Sequence, residues 1–229
     1  SIRRQRQMCI RDRVNFDRDY LDEARRYYTN IVGKYGTQVQ AVLKKAAGLD
    51  IQMLLPLHGF VWRQDLGYIL GKYDLWSRYE PEQRGVVIAY ASVYGGTENA
   101  ANILACRLRE QGVQVEMFDT SVTPASYILA AAFRFSHVVL AAPTYNGGVF
   151  VTMENLLHDL TAHGLKGRRA AYIENGSWAP TSARGMQKLL EPLNWETAAD
   201  TVTLRSALRQ GQQEDLERMA MQLAESVKA

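Results

Sequence analysis

From Arg84 onward, short apolar runs alternate with helical segments, and this alternation constrains the fold more than any other feature. Residues 86–91 and 137–142 are continuous apolar runs, the pattern of strands covered on both faces. Residues 97–111 carry Ala100, Ile103, Leu104 and Leu108 on one helical face, and Gly112 closes the segment. Residues 113–118 alternate apolar and polar side chains, as an edge strand does. A helix is predicted over 124–133, another over 150–163, a strand over 170–174, a helix over 182–191 and a strand over 196–204. A last helix follows, with Leu216, Met219, Ala220, Leu223 and Val227 as its stripe. Five strands alternating with helices predict an α/β fold, a doubly wound parallel sheet with right-handed crossovers.

Residues 14–81 read differently. A helix over 20–31 has Leu21, Ala24, Tyr27, Tyr28 and Ile31 on one side, and a second helix is predicted over 37–47. A short strand over 51–55 runs into Pro56-Leu57-His58-Gly59, and a helix over 64–79 ends before Pro81. One strand cannot form a sheet layer, so this stretch is expected to be the incomplete end of a larger domain. It would leave Leu21, Tyr28, Ile51 and Trp62 uncovered.

Charge and composition exclude several classes. The net charge of +3 resides in residues 1–13, where five arginines face one aspartate. That stretch has neither an apolar signal core nor helical or strand periodicity, and it is expected to be a non-native or disordered leader. Without it the chain is slightly acidic, so no nucleic-acid partner is expected. The apolar runs fall far short of the ~20 residues that span a bilayer, so no membrane partner is expected either. Cys9 and Cys106 match no redox or zinc spacing, and a cytoplasmic protein is expected.

In a doubly wound sheet, ligands bind beyond the carboxyl ends of the strands. The first such loop, Ser92-Val93-Tyr94-Gly95-Gly96-Thr97, opens into a helix whose N-terminal N–H groups suit a phosphate. A plain helix cap explains it equally well. It matches neither a Walker A loop nor a G-x-G-x-x-G fingerprint. The second, Pro143-Thr144-Tyr145-Asn146-Gly147-Gly148, joins polar groups to an aromatic ring and paired glycines, although an ordinary β-to-α turn has similar composition. The third contains Asn175, Gly176, Ser177, Trp178 and Ala179, with Trp178 either capping the core or packing on a ligand. Together the three describe a site for a phosphorylated planar ring, and FMN has that shape.

These loops, as YASVYGGTENAA, APTYNGGVF and ENGSWAPTSA, resemble the three flavin loops of the A-type flavoproteins, the flavodiiron proteins. The segments EARRYYTNIVGKYG and LPLHGFVWR resemble the end of that family's metallo-β-lactamase-like domain. The resemblance implies a flavodoxin-like FMN-binding domain over 84–229 with strand order 2-1-3-4-5, after a mostly helical partial domain over 14–81. It implies that Ser92, Tyr94, Gly95, Gly96 and Thr97 hold the FMN phosphate. Residues 143–148, with Ser177 and Trp178, would surround the isoalloxazine, and Val93, Asn175, Gly176 and Ala179 would complete the site. Gly96 departs from the Asn common in the family, which is expected to remove a side-chain contact and add backbone freedom. His58 corresponds to the family's last di-iron ligand, but the other ligands have no counterpart, so no di-iron centre is expected here. The implied activity is that of a C-terminal fragment of an O2 or NO reductase. The intact enzyme would pair head to tail as a homodimer and take electrons from a rubredoxin-like or flavin reductase donor. A stand-alone flavodoxin-like quinone reductase or electron carrier and a cofactor-free α/β interaction module are the alternatives.

Overall fold

The computed structural model describes residues 16–229, so the leader expected over 1–13 lies outside the described residues. The chain divides into two compact units between Glu80 and Pro81.

The first unit is helical: α1 (Phe16–Asp19), α2 (Leu21–Ile31), a 3-10 turn (Gly33–Tyr35), α3 (Gly36–Ala46) and α4 (Leu66–Ser77). Aromatic rings build its core. Tyr28 and Trp76 are fully buried, with ring centroids 5.2 Å apart, and Phe16 meets Trp62 edge-on at 4.6 Å. The expectation that Tyr28 and Trp62 stand uncovered is therefore corrected, because α4 supplies Tyr73 and Trp76 against Tyr28, and α1 and α4 supply Phe16 and Tyr68 against Trp62; Leu21 and Ile51 are half-buried. The strand expected over 51–55 is reduced to one antiparallel bridge, Leu54 to Trp62, with no third segment among the described residues beside it to extend a ladder. Gly36 lets α3 start against the end of α4, since a Cβ there would lie 2.3 Å from the Ser77 carbonyl oxygen.

The second unit is the predicted doubly wound layer. Its elements are β1 (Gln83–Tyr90), α5 (Gly96–Glu110), β2 (Val115–Asp119), α6 (Ala125–Arg134), β3 (Phe135–Tyr145), β4 (Gly148–Val149), α7 (Val151–His163), β5 (Arg169–Asn175), α8 (Ser182–Leu190), β6 (Glu196–Thr197), β7 (Val202–Leu204) and α9 (Gln210–Lys228). The parallel order is β2-β1-β3-β5, and both β6 and β7 pair with β5. They occupy the expected fifth position, which gives the flavodoxin-like order. α5 and α9 pack together on one face of the sheet, while α6, α7 and α8 cover the other. Val86, Ile88, Val139, Ala141 and Ile173 are buried in the core beneath α5 and α9.

Two details differ from the sequence reading. The fifth strand is not continuous over 196–204. Its middle leaves the ladder where Asp200 exchanges hydrogen bonds with the Gln222 amide of α9, accepting at 2.9 Å and donating its backbone N–H at 2.9 Å. The second loop contains a hairpin, with Thr144 opposite Val149 and Tyr145 opposite Gly148. Asn146 (φ 49°) and Gly147 (φ 76°) form its tip, the two left-handed residues that a tight two-residue β-turn requires.

α6 runs straight into β3, leaving its terminal carbonyls without helical partners. The buried Arg168 guanidinium supplies them, donating to the Ala132 and Phe133 oxygens at 2.7 Å each and to the Lys166 and Gly167 oxygens at 3.1 and 3.2 Å. Replacing Arg168 with Met should cost about 3 kcal/mol in urea unfolding, since it leaves buried acceptors unpaired. A loss within 0.5 kcal/mol, roughly the effect of an ordinary surface change, would refute this role.

His137, buried in β3, bonds Ser136 Oγ at 2.8 Å and Ser226 Oγ at 2.9 Å. Burial, with the nearby charges of Arg169 and Arg84, lowers its pKa to about 4. The folded state thus holds this ring neutral while the unfolded chain protonates it below about 6.5. Its contribution is complete above that pH and declines as pH falls toward 4. His137→Asn should flatten the stability difference between pH 7 and pH 5 relative to the parent, measured by urea unfolding; equal slopes would exclude His137 as its source.

Candidate functional site

β1 lies between β2 and β3, so the chain leaves β1 toward one side of the sheet and β3 toward the other. The diverging loops open a cleft at the carboxyl ends of these strands. A cavity of about 450 Å³ lies there. Ser92, Val93, Tyr94, Gly96 and Thr97 line it from the first loop, Pro143, Thr144 and Tyr145 from the second, and Asn175, Gly176 and Ser177 from the third.

The first loop turns at Gly95, whose φ of 81° favours glycine. Its N–H donates to Ser92 Oγ at 3.1 Å. α5 then begins at Gly96 with no side-chain cap, leaving its first-turn N–H groups available to an acceptor. Thr97 is 2% exposed, and its Oγ1 accepts a hydrogen bond from the Asn175 amide at 3.2 Å.

The second and third loops are tied together beneath the cavity. Thr144 Oγ1 accepts the N–H groups of Thr181 at 2.8 Å and Ser182 at 3.1 Å, capping α8 from another segment of the chain. Glu174 accepts the Ala183 N–H at 3.1 Å and the Thr203 hydroxyl at 2.8 Å. Asn146, Gly147 and Gly148 lie in the hairpin beyond the cavity wall. Trp178 and Ala179 are exposed and also off the wall. Tyr94 is 98% and Trp178 86% exposed, a large amount of ring surface in water on two of the loops that form the cleft.

Sequence reasoning missed Phe150, Ser206 and Ala207, which also line the cavity. Phe150 packs edge-on to Tyr145 at 5.5 Å. Nothing in the local sequence marks Ser206, because its place depends on β7 returning beside β5. Gly96 also needs correction. Its φ is not positive, so no added backbone freedom is used. A Cβ there would lie 2.4 Å from the Ser206 carbonyl oxygen, so the glycine provides room for a fourth loop, residues 205–209 between β7 and α9.

His58 is exposed in the first unit, on the rim of a separate aromatic cavity of about 340 Å³, with its ring 5.4 Å from that of Tyr27. Among the described residues, no three His, Cys, Asp or Glu side chains gather as a metal site. No helix among the described residues is long and apolar enough to cross a membrane.

Sheet order, layering and cleft define the second unit as a flavodoxin-like α/β domain. A flavodoxin from Streptococcus pneumoniae matches 62% of the chain and 98% of its own length, with a TM-score of 0.54 and 24% identity. The relatives and structural neighbours of the whole chain are flavodiiron proteins, and the chain resembles their C-terminal, flavodoxin-like portion. The rubredoxin oxygen:oxidoreductase of Desulfovibrio gigas matches 89% of this chain with a TM-score of 0.83 and 23% identity, over 52% of its own length. The flavodiiron protein of Giardia intestinalis matches 89% with a TM-score of 0.83 and 22% identity, over 51% of its length. A nitric oxide reductase of Moorella thermoacetica is 29% identical over 173 residues, 75% of this chain and 42% of that protein. The chain spans about half the length of these longer proteins or less. No protein-family model matches it.

Because Thr144 caps α8, Thr144→Val should lower stability by about 1 kcal/mol in thermal or urea unfolding, and Thr144→Ser should recover most of the loss. Equal stability of the Val and Ser variants would refute the capping role.

Proposed function

We propose that the second unit is an FMN-binding electron-transfer domain, and that the chain serves an oxidoreductase of the flavodiiron type acting on O2 or NO. The observation that carries this reading is the cleft itself. An uncapped helix N-terminus and the hydroxyls of Ser92 and Thr97 line it together with the Tyr94 and Tyr145 rings, and the exposed Trp178 lies on the third loop that helps form it. The names and folds of the relatives support it.

The residues present fit FMN. The N–H groups at the start of α5, with Ser92 and Thr97, would hold the phosphate with no Lys or Arg among the residues lining the cavity, because helix N-termini favour anions. Tyr94, Tyr145 and Trp178 would flank the flat ring, and the 143–148 segment with Gly176, Ser177 and Ala179 would contact its edge. When bound, FMN supplies reversible electron transfer. The chain's own part is to orient the ring, exclude water from its inner edge and set its electronic environment through backbone groups. The hydrogen bonds of half-buried Glu174 would hold the third loop while the outer face receives electrons. A rubredoxin-type donor suits the relatives' names, with a flavin reductase as the alternative.

The described residues do not fit a complete di-iron centre, since His58 stands without a cluster of further ligands. We assign it as one ligand of such a centre only within the longer architecture of the relatives, where head-to-tail pairing would bring flavin and iron together.

Titration of the apoprotein should give tight binding of FMN over FAD. Thr97→Ala should weaken FMN by about 1–3 kcal/mol, the range for a lost hydrogen bond to a charged group. Tryptophan emission should fall as FMN binds, and Trp178→Ala should remove most of that quenching. Preference for FAD, or full quenching without Trp178, would overturn the assignment.

A further inference from the structure

The fourth loop enters the cleft by a route that no recognised motif encodes. Ser206 sits at φ 66°, a left-handed conformation unfavourable for a residue with a Cβ. The nearly buried side-chain amide of Asn175 holds it there on both sides. Asn175 Oδ1 accepts the Ser206 N–H at 2.8 Å, and Nδ2 donates to the Ser206 carbonyl at 2.9 Å. The same Nδ2 reaches Thr97 Oγ1 at 3.2 Å. The Ser206 carbonyl then fills the space where a side chain at position 96 would stand. Ser206 Oγ meets Ser177 Oγ at 3.2 Å, joining the fourth loop to the third.

We infer that Asn175 is a positioning residue for the phosphate end of the flavin site, holding the Ser206 turn against Gly96 and orienting the Thr97 hydroxyl toward the anion. This rests on the FMN reading above. The chemistry follows from donor and acceptor counts. A threonine hydroxyl has one proton, and a donor on its lone pairs leaves that proton for an acceptor elsewhere. With Nδ2 donating to Thr97, the hydroxyl proton is free to face the phosphate. The Ser206 backbone dipoles are both satisfied by Asn175, so its carbonyl can lie beside a helix N-terminus without an unpaired polar group. Left-handed strain at a binding site persists only where surrounding groups overdetermine it, and here one side chain makes both backbone bonds.

The assignment separates phosphate recognition from ring recognition. Asn175→Asp replaces the donor with a carboxylate oxygen that faces the Ser206 carbonyl and takes the Thr97 proton for itself. Gly96→Ala and Gly96→Asn push the fourth loop away, because the atom in the way is backbone rather than a flexible side-chain tip.

The test compares FMN with riboflavin, which carries the same ring without the phosphate, by fluorescence titration of the apoprotein. Asn175→Asp and Gly96→Asn should each weaken FMN by about tenfold or more, the scale of a charge-assisted hydrogen bond, and leave riboflavin within about threefold. Asn175→Ala should raise hydrogen exchange at the Ser206 amide in the flavin-free protein while the core strands stay protected. An unchanged FMN-to-riboflavin ratio in both Asn175→Asp and Gly96→Asn would overturn the positioning role. So would equal Ser206 exchange in parent and Asn175→Ala, a readout that requires no flavin. Failure of the parent itself to prefer FMN over riboflavin would instead bring down the FMN reading, and the phosphate role of Asn175 with it.

Discussion

Burial of the central strands on both faces is the constraint on which the rest of this domain depends. β1, β3 and β5 are sealed between α5 and α9 on one side and α6, α7 and α8 on the other. A strand covered on both faces has no room for uncompensated polar chemistry, because an unpaired polar group there costs kilocalories. Polar side chains are therefore displaced to the strand ends. At the carboxyl end they meet helix N-termini, and the strand order places a cleft between β1 and β3. The position of the site thus follows from the hydrophobic core, and its chemistry from a few residues just beyond it.

Those few residues act mostly on one another. Thr144 caps α8, Glu174 ties α8 to β7, and Asn175 ties β7's outgoing loop to α5. Each bond joins segments far apart in the chain, so the cleft is preorganised by the same contacts that satisfy helix ends and strained turns. A site built this way loses little conformational freedom on binding, because its ordering cost is met during folding.

The sequence carried the strands and the three principal loops because both depend on local patterns. The apolar runs at 86–91 and 137–142 announce two-sided burial, and Asn146-Gly147 announces a tight hairpin once its flanking residues are seen to pair. What could not be read depends on distant segments. The break in the fifth strand arises from Gln222 reaching Asp200, more than twenty positions earlier. Tyr28 and Trp62 looked uncovered because their covering rings come from α4 and the short α1. Ser206 carries no local mark of its role, since its importance comes from Asn175 on a neighbouring strand.

Gly96 shows how far a local reading can mislead. Taken alone, a second glycine after Gly95 suggests a looser turn and a lost side-chain contact. Its φ is ordinary, and the room it leaves is filled by the Ser206 carbonyl. The missing side chain is thus exchanged for a segment of backbone, held in a left-handed turn by a nearly buried amide. Substitution at either position alone would break the arrangement, because Gly96 and Asn175 are coupled through Ser206, which touches both. Residues linked through a shared backbone shift are expected to act non-additively. The site is therefore better described by such pairs of compensating features than by its individual loop motifs.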